Sequence, residues 1–382
     1  MSAGRIAGVA ELSPAELDGV ADPVGANAIA IARAADDAGL PVSSIDAVLT
    51  YDSLLHPHPM QATKVCEYLG IAPSYASTIG AGGASPLTGL VIADSLVRSG
   101  VVRTVAIAHA DFRAGSASRS AVLEKMASVV GHPEFEDPLG PIVPTIYALI
   151  AAWLIDEGDF DREDLAAIAV QTRQWARLNP NARFTAPLTE AQVLEAPVIA
   201  GPLGRFDCCL VTDFSGALIV RAEPADPRRA VTIAGVAGAV SHEEITQLPE
   251  HPMAPLRRTA DAVYRAAGIG PSDVDAAFVY DSFTVTVAAQ LLAYRLEGTD
   301  GLKKLLSGSG IGPGGTLPVN THGGLLSAST SGIFHIVEAV RQLRGEAGER
   351  QAGAIGTALV TGVGGVLSHH CAAILRGAGH GG

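Results

Sequence analysis

Aromatic side chains make up only 5% of this 382-residue chain and charged residues only 17%. A core built from bulky rings is excluded, and the abundant Ala and Gly point to close helix-on-sheet packing. Basic residues are outnumbered, with 26 Lys and Arg against 39 Asp and Glu, for a formal charge of −13. Such a field repels nucleic acid and anionic lipid as main partners and leaves room for at most a local basic patch. No uninterrupted apolar run reaches the roughly 18 residues of a membrane span. The four cysteines, Cys66, Cys208, Cys209 and Cys371, have neither the number nor the spacing of a disulfide framework, and the adjacent pair lacks CxxC metal spacing. The opening residues lead into a strand-like segment and not a secretory apolar stretch, so a reduced, cytoplasmic protein is the expectation. What is plentiful is apolar residue, at 48%. A chain of this length and composition buries a large core, with area left for a subunit interface.

Comparing the chain with itself gives its organisation. Residues 38–54 read AGLPVSSIDAVLTYDSL and residues 267–283 read AGIGPSDVDAAFVYDSF, at a constant offset of 229 positions. Each copy has a helix ending at Ala-Gly, a polar turn, a short apolar strand (Ala47–Tyr51, Ala276–Tyr280) and then Tyr-Asp-Ser. Glycine suits the left-handed position after a helix, and a short, wholly apolar strand suits a sheet covered on both faces. The period is far too long for a solenoid and predicts two similar α/β lobes, residues 1–225 and 226–382. In the first, Gly82-Gly83-Ala84-Ser85-Pro86 opens a helix to about Ser99, followed by a strand Arg103–His109. In the second, Gly323-Gly324 precedes a helix from about Ser327 to Leu343 and a strand Ala354–Thr361. Residues from about 112 to 204 have no counterpart in the second lobe and read as a helical insertion, with helices at Pro144–Asp156 and Arg162–Arg177. Arg221–Arg229, with Pro224 and Pro227, reads as the linker.

Three strings give the chain a family. Phe206–Ala217 (FDCCLVTDFSGA) resembles the stretch closing the first lobe in the sterol-carrier-protein branch of thiolases. Val319–Leu326 (VNTHGGLL) resembles the Asn-x-x-Gly-Gly turn of the second lobe, and Thr361-Gly362-Val363-Gly364-Gly365 the C-terminal glycine-rich turn. The resemblance runs along nearly the whole chain and implies a thiolase fold: two duplicated α/β lobes in a layered αβαβα sandwich, with a helical insertion in the first. The chemistry does not follow. Where the family has its nucleophilic cysteine this chain has Gly83, where it has its histidine Thr330, and where it has its second cysteine Gly362. The pattern is similar to the thiolase-like aldolases of steroid side-chain degradation, which lack these cysteines and use tyrosine. That similarity implies retro-aldol or aldol chemistry on a β-hydroxyacyl-CoA, a homodimer, and a small partner subunit with a zinc-ribbon and an OB-fold. Two other functions stay open: acyl transfer through a different nucleophile, and a non-catalytic subunit that binds acyl-CoA or scaffolds a partner.

Tyr280, on the second-lobe motif, is the leading catalytic candidate. Its ordinary pKa of about 10 makes it a poor base at neutral pH unless the site favours phenolate, and a natural proton donor otherwise. The plainer alternative is a strand-end tyrosine that packs its ring and ties its hydroxyl to a neighbour, as Tyr51 at the equivalent position would. His322 polarises a carbonyl or relays a proton, or is a turn histidine bound to backbone. Asp281 orients groups near Tyr280 or caps the next helix. Gly83, Gly364 and Gly365, with Asn320 and Thr330, are candidates for the surroundings of the thioester oxygen. Ser85 is a nucleophile only if a base adjoins it. Arg173, Arg177 and Arg183 form a clamp for coenzyme A phosphates or a solvated helix face. Coenzyme A enters as part of the substrate, with no separate cofactor. The His56-Pro57-His58 and His369-His370 pairs lack a matching set of ligands, so no metal is expected. Gly308–Gly315 is glycine-rich but lacks Gly-Lys-Ser/Thr, and reads as a flexible loop.

Overall fold

A computed structural model describes residues 3–53, 55–113, 131–140, 142–248 and 251–379. In chain order its strands are β1 (Arg5–Glu11), β2 (Ala47–Tyr51), β3 (Tyr75–Ile79), β4 (Thr104–Asp111), β5 (Val198–Ala200), β6 (Leu203–Gly204), β7 (Phe214–Arg221), β8 (Val231–Val240), β9 (Ala276–Phe278), β10 (Thr357–Gly364) and β11 (His369–Arg376). The framing helices are α1 (Pro23–Asp37), α2 (Gln61–Leu69), α3 (Ser85–Arg98), α4 (Val143–Asp156), α5 (Arg162–Ala176), α6 (Ala254–Ala267), α7 (Thr284–Ala293) and α8 (Ile333–Arg344).

Nine strands lie in the order β3-β2-β4-β7-β1-β8-β11-β10-β9. This order is nearly palindromic about a short β1–β8 pairing at Arg5–Thr232 and Ile6–Val231. On one side β2 runs parallel to β3 and β4. On the other β9 runs parallel to β10 and bridges in parallel to Val319, which stands in for β3. The two copies of the sequence repeat thus hold matching places. Both repeat glycines, Gly39 and Gly268, sit at positive φ (67° and 66°), the conformation the Ala-Gly helix ends call for.

Apolar faces stack the layers. Ile31 and Ala34 of α1 pack on Val48 and Ile219 of the first half. Leu87 and Leu90 of α3, with Ile336 and Val340 of α8, meet Leu49 and Ile107 from one half and Phe278 and Val360 from the other. The third layer joins Val263 of α6 and Leu291 of α7 to Ile150 and Leu154 of the inserted α4. The result is an αβαβα sandwich whose middle helices, α3 and α8, are shared. Each fully buried Leu or Ile contributes on the order of 1.5–3 kcal/mol. Among the described residues no helix is long and apolar enough to cross a membrane.

Several boundaries depart from expectation for identifiable reasons. The strand at Ala276 stops at Phe278, two residues early, because the next backbone groups are diverted to side chains. The Tyr280 N–H donates to Thr361 Oγ1 (3.0 Å), and its carbonyl accepts from Gln290 Nε2 (2.7 Å) and Thr286 Oγ1 (3.1 Å). The helix expected from Ser327 begins only at Ile333, because Gly324–Ala328 form a π-turn and Ser329 is extended. Gly308–Gly315 is not loose: Gln171 Oε1 accepts from the N–H groups of Ile311 (2.8 Å) and Gly312 (3.0 Å), and Trp175 Nε1 donates to the Ile311 carbonyl (2.9 Å). Of the insertion, α4 and α5 lie where the helical patterns placed them; residues 114–130 fall outside the described residues.

Candidate active site

The site forms where the start of α3, the ends of β9 and β10, and the turn before α8 converge. Gly82–Ala84 make one tight turn ahead of α3, and Ser85 Oγ closes it by accepting from the Ala81 N–H (2.9 Å). This turn packs backbone to backbone on the C-terminal glycines. A β-carbon at Gly82 would lie 3.2 Å from Gly364 Cα and from Gly365 N, and one at Gly362 would lie 3.1 Å from Ala84 Cα. Only glycine on both sides allows that approach.

Tyr280 reaches into this junction. A β-carbon built on Gly83 would overlap the Tyr280 hydroxyl and Cζ, and the Val363 carbonyl as well. The phenol therefore occupies the space in which a side chain at position 83 would begin. Gly332 clears the other side, with Tyr280 Cδ2 and Cε2 at 3.4 Å from its would-be β-carbon. Its hydroxyl makes no hydrogen bond to any described residue, and the residue keeps some exposure. Tyr51, at the equivalent position, is 1% exposed and sealed between Gly89 and His109. Burial pushes the Tyr280 phenol far above its ordinary value, helped by Cys209, Tyr147 and Asp281 and opposed by Arg113. At neutral pH it is a proton donor and not a phenolate base.

Asp281 is wholly buried and anchors the site. Its Oδ1 accepts from the Leu325 N–H (2.9 Å) and from His335 Nε2 (3.0 Å), and its Oδ2 accepts from the Leu326 N–H (3.2 Å). The Gly323-Gly324 turn is thereby pinned under the segment that follows β9. A β-carbon at Gly324 would overlap the Asp281 carboxylate, and its φ of 58° is left-handed. Gly324→Ala is expected to cost about 2–3 kcal/mol, read from denaturant unfolding. Unchanged stability would show the turn to be slack.

Tyr280, Gly83, Gly364 and Gly365 converge as expected. Asp281 positions neighbours and does not merely cap a helix. His322 is buried and meets His335 edge-on, with ring centroids 4.9 Å apart. The imidazole next to Tyr280 is instead His335, at 6.3 Å. Burial and the adjacent His335 hold His322 well below its usual pKa, so it is neutral. Asn320 does not face the junction with its amide N–H, which donates to the Val279 carbonyl (2.8 Å). Thr330 donates to the Leu210 carbonyl (2.7 Å), and both its N–H and its Oγ1 engage Thr212 Oγ1 (3.0 and 3.2 Å). It staples the Cys208–Cys209 segment to the turn and is not available to an oxyanion. Ser85 Oγ is engaged in its turn, and among the described residues no base is hydrogen-bonded to it. Of the histidine pairs, His58 Nδ1 accepts from the Met60 N–H (3.3 Å), His370 Nε2 bonds the Leu367 carbonyl (2.7 Å), and His369 lies 3.5 Å from Thr88 Oγ1.

Beside the junction opens a cavity of about 330 Å³ lined by Arg113, Arg173, Arg183, Arg205, Cys209 and Leu326 among others. Cys209 and Arg113 belong both to this cavity and to the surroundings of Tyr280. Arg173 is buried, fixed to Ser327 Oγ (2.8 Å) and the Ala186 carbonyl (3.2 Å), and lies over the Phe184 ring. Arg183 lines the cavity, whereas Arg177 stays at the end of α5 and does not line it. Among the described residues Arg173, Arg183 and Arg205 have no carboxylate partner, so their charge is open to an anion.

Four residues escaped the sequence reading. His335 and Tyr147 sit inside apolar helical patterns and looked like core. Arg205 precedes the Cys-Cys segment without a motif of its own. Arg113 follows β4 directly, and the end of a parallel strand is where α/β sheets collect ligand groups; that signal was present. Tyr147, from the insertion, donates to the Gly365 carbonyl (2.7 Å) and stacks on Phe283.

An αβαβα sandwich of two duplicated halves, with its site at the start of α3 and the glycine turns of the second half, defines the thiolase fold. A model of the thiolase C-terminal domain-like family matches residues 237–377. The chain is 30% identical over 333 residues to the 17-hydroxy-3-oxo-4-pregnene-20-carboxyl-CoA lyase of Mycobacterium tuberculosis, covering 83% of this chain and 85% of that one. It is 28% identical over 348 residues to an acetyl-CoA acetyltransferase of Methanothermobacter thermautotrophicus, covering 83% and 85%. The solved Ltp2-ChsH2(DUF35) aldolase superposes with a TM-score of 0.81 at 27% identity, over 98% of both chains. The chain belongs to the thiolase superfamily, as one of its thiolase-like members.

Proposed function

We propose that this protein is a thiolase-like carbon–carbon lyase that cleaves, or in reverse forms, a β-hydroxyacyl-CoA. The observation that carries this reading is the Tyr280 hydroxyl, without a hydrogen-bond partner among the described residues, standing over Gly83 in place of a nucleophile's side chain. The β-hydroxyl of the substrate hydrogen-bonds Tyr280. Its proton passes to the Tyr280 oxygen as the phenol releases its own, the Cα–Cβ bond breaks, and the electron pair moves onto the thioester oxygen as an enolate, which takes up the released proton at carbon. Peptide N–H groups of the glycine junction polarise that oxygen, a role that needs no side chain. In the aldol direction neutral Tyr280 donates the proton to the nascent alkoxide, which suits its raised pKa. The similarity to two lyases or aldolases supports the same reading.

The arginine cavity is the place for the coenzyme A phosphates. Charge-assisted hydrogen bonds contribute about 1.5–3 kcal/mol each, so Arg183→Ala should raise KM for a CoA thioester by about 10-fold or more. The corresponding pantetheine thioester, which lacks the nucleotide phosphates, should be unaffected; an equal rise for both would move the phosphates elsewhere. The exposed β3 edge suits pairing with a second copy of the chain, and a zinc-ribbon and OB-fold subunit is the expected partner. The test is to incubate the chain, alone and with such a partner, with a panel of β-hydroxyacyl-CoAs. An aldehyde or ketone and a shortened acyl-CoA are expected in equal amounts. No carbonyl product from any of them would overturn the proposal.

A further inference from the structure

Asp281 settles the protonation of His335. A buried carboxylate that already accepts from the Leu325 and Leu326 N–H groups can only accept from His335 Nε2 as well. A neutral His335 therefore carries its proton on Nε2 and a bare lone pair on Nδ1. That Nδ1 is buried and has no partner among the described residues. Nor do both ring nitrogens of His322 or Asn320 Oδ1. These atoms belong to one neighbourhood: the two imidazoles are 4.9 Å apart, and Asn320 is tied to Val279, the residue before Tyr280. Buried polar groups in such numbers are satisfied by internal water. The Tyr280 and His335 rings lie 6.3 Å apart, centroid to centroid, and the relay requires water between their polar atoms.

We infer that His335 is a positioning residue for proton transfer, taking up through buried water the proton that Tyr280 receives from the substrate. This rests on the lyase reading. As the Cα–Cβ bond breaks, the β-hydroxyl proton passes to the Tyr280 oxygen while the phenol's own proton passes through water to His335 Nδ1. The imidazolium so formed is paired with Asp281. The same proton returns by the reverse path to the enolate carbon, so no proton is gained or lost over the cycle. The pathway supplies the acceptor that a neutral phenol cannot be on its own. The other titratable or charged groups around it are His322 on the turn, Glu338 on α8, held by Thr321 and Arg350, and Arg341.

His335→Gln tests the assignment, since the amide still donates to Asp281 but cannot accept a proton. Turnover, measured as carbonyl release, should fall by about 10²-fold with KM for the thioester little changed. The pH profile of kcat should change, since the ring that takes up the proton is gone. Nitrogen-15 NMR of the wild-type protein, which needs no substrate, should report His335 unprotonated at Nδ1. Full turnover in His335→Gln while the wild type is active, an unaltered pH profile, or a proton on Nδ1 would overturn the relay alone. A wild-type protein with no lyase turnover would overturn the functional reading and the relay together.

Discussion

Tyr280→Phe is expected to lower kcat for carbonyl release by about 10²–10⁴-fold, the range for loss of a positioned proton-transfer group. KM and the unfolding midpoint should stay close to wild type. The reason is geometric. The ring fills the gap over Gly83 and beside Gly332, and Phe keeps the ring. The hydroxyl has no partner to lose among the described residues, so its removal leaves no buried group of theirs unsatisfied. A tyrosine serving only as packing would give a variant with full activity. One tied to a neighbour would show a stability loss instead, as expected for Tyr147→Phe, whose hydroxyl serves the Gly365 carbonyl. Steady-state kinetics together with a thermal melt separates these outcomes.

Gly83→Ala should be nearly as damaging for the opposite reason. The added methyl meets the Tyr280 phenol on one side and the Val363 carbonyl on the other. Overpacking of this kind costs about 1–3 kcal/mol, and the phenol must leave its place. Turnover is expected to drop by at least about 10²-fold, since an ångström of misplacement suffices. Gly83→Cys should fail in the same way and gain no acyl-transfer activity, because the space for a thiol is taken. A Gly83→Ala, Tyr280→Ala double variant should recover part of the stability lost in Gly83→Ala, with the Val363 overlap left. Full activity in Gly83→Ala would show that the junction opens easily and that the phenol is not held there.

These expectations depend on features that were unequally legible in the sequence. The repeat was legible because short apolar strands and Ala-Gly helix ends are local signals, and the sheet order mirrors it at Ala47–Tyr51 and Ala276–Phe278. Tyr280, Gly83 and the C-terminal glycines were legible through motifs. His335 was not: a histidine on the buried face of a helix carries no mark of the Asp281 carboxylate that meets it from another lobe element 54 positions away. His322 drew attention because it adjoins two glycines, yet it is His335 that faces Tyr280. Asn320 and Thr330 looked like ligand contacts; the Asn320 amide N–H and the Thr330 hydroxyl are tied to the Val279 and Leu210 carbonyls, partners set by tertiary packing alone. Arg177 follows Arg173 by one helical turn, but it stands at the helix end and is not among the residues lining the cavity that Arg173 and Arg183 line.

The central claim is carbon–carbon cleavage on a thiolase fold without an acyl-enzyme. Intact-mass spectrometry of the chain sampled during turnover of a β-hydroxyacyl-CoA tests it most directly. Carbonyl product is expected to accumulate while the protein keeps its unmodified mass at every time point. An acyl-sized increment that forms and decays with turnover, on Cys209 or any other residue, would contradict it.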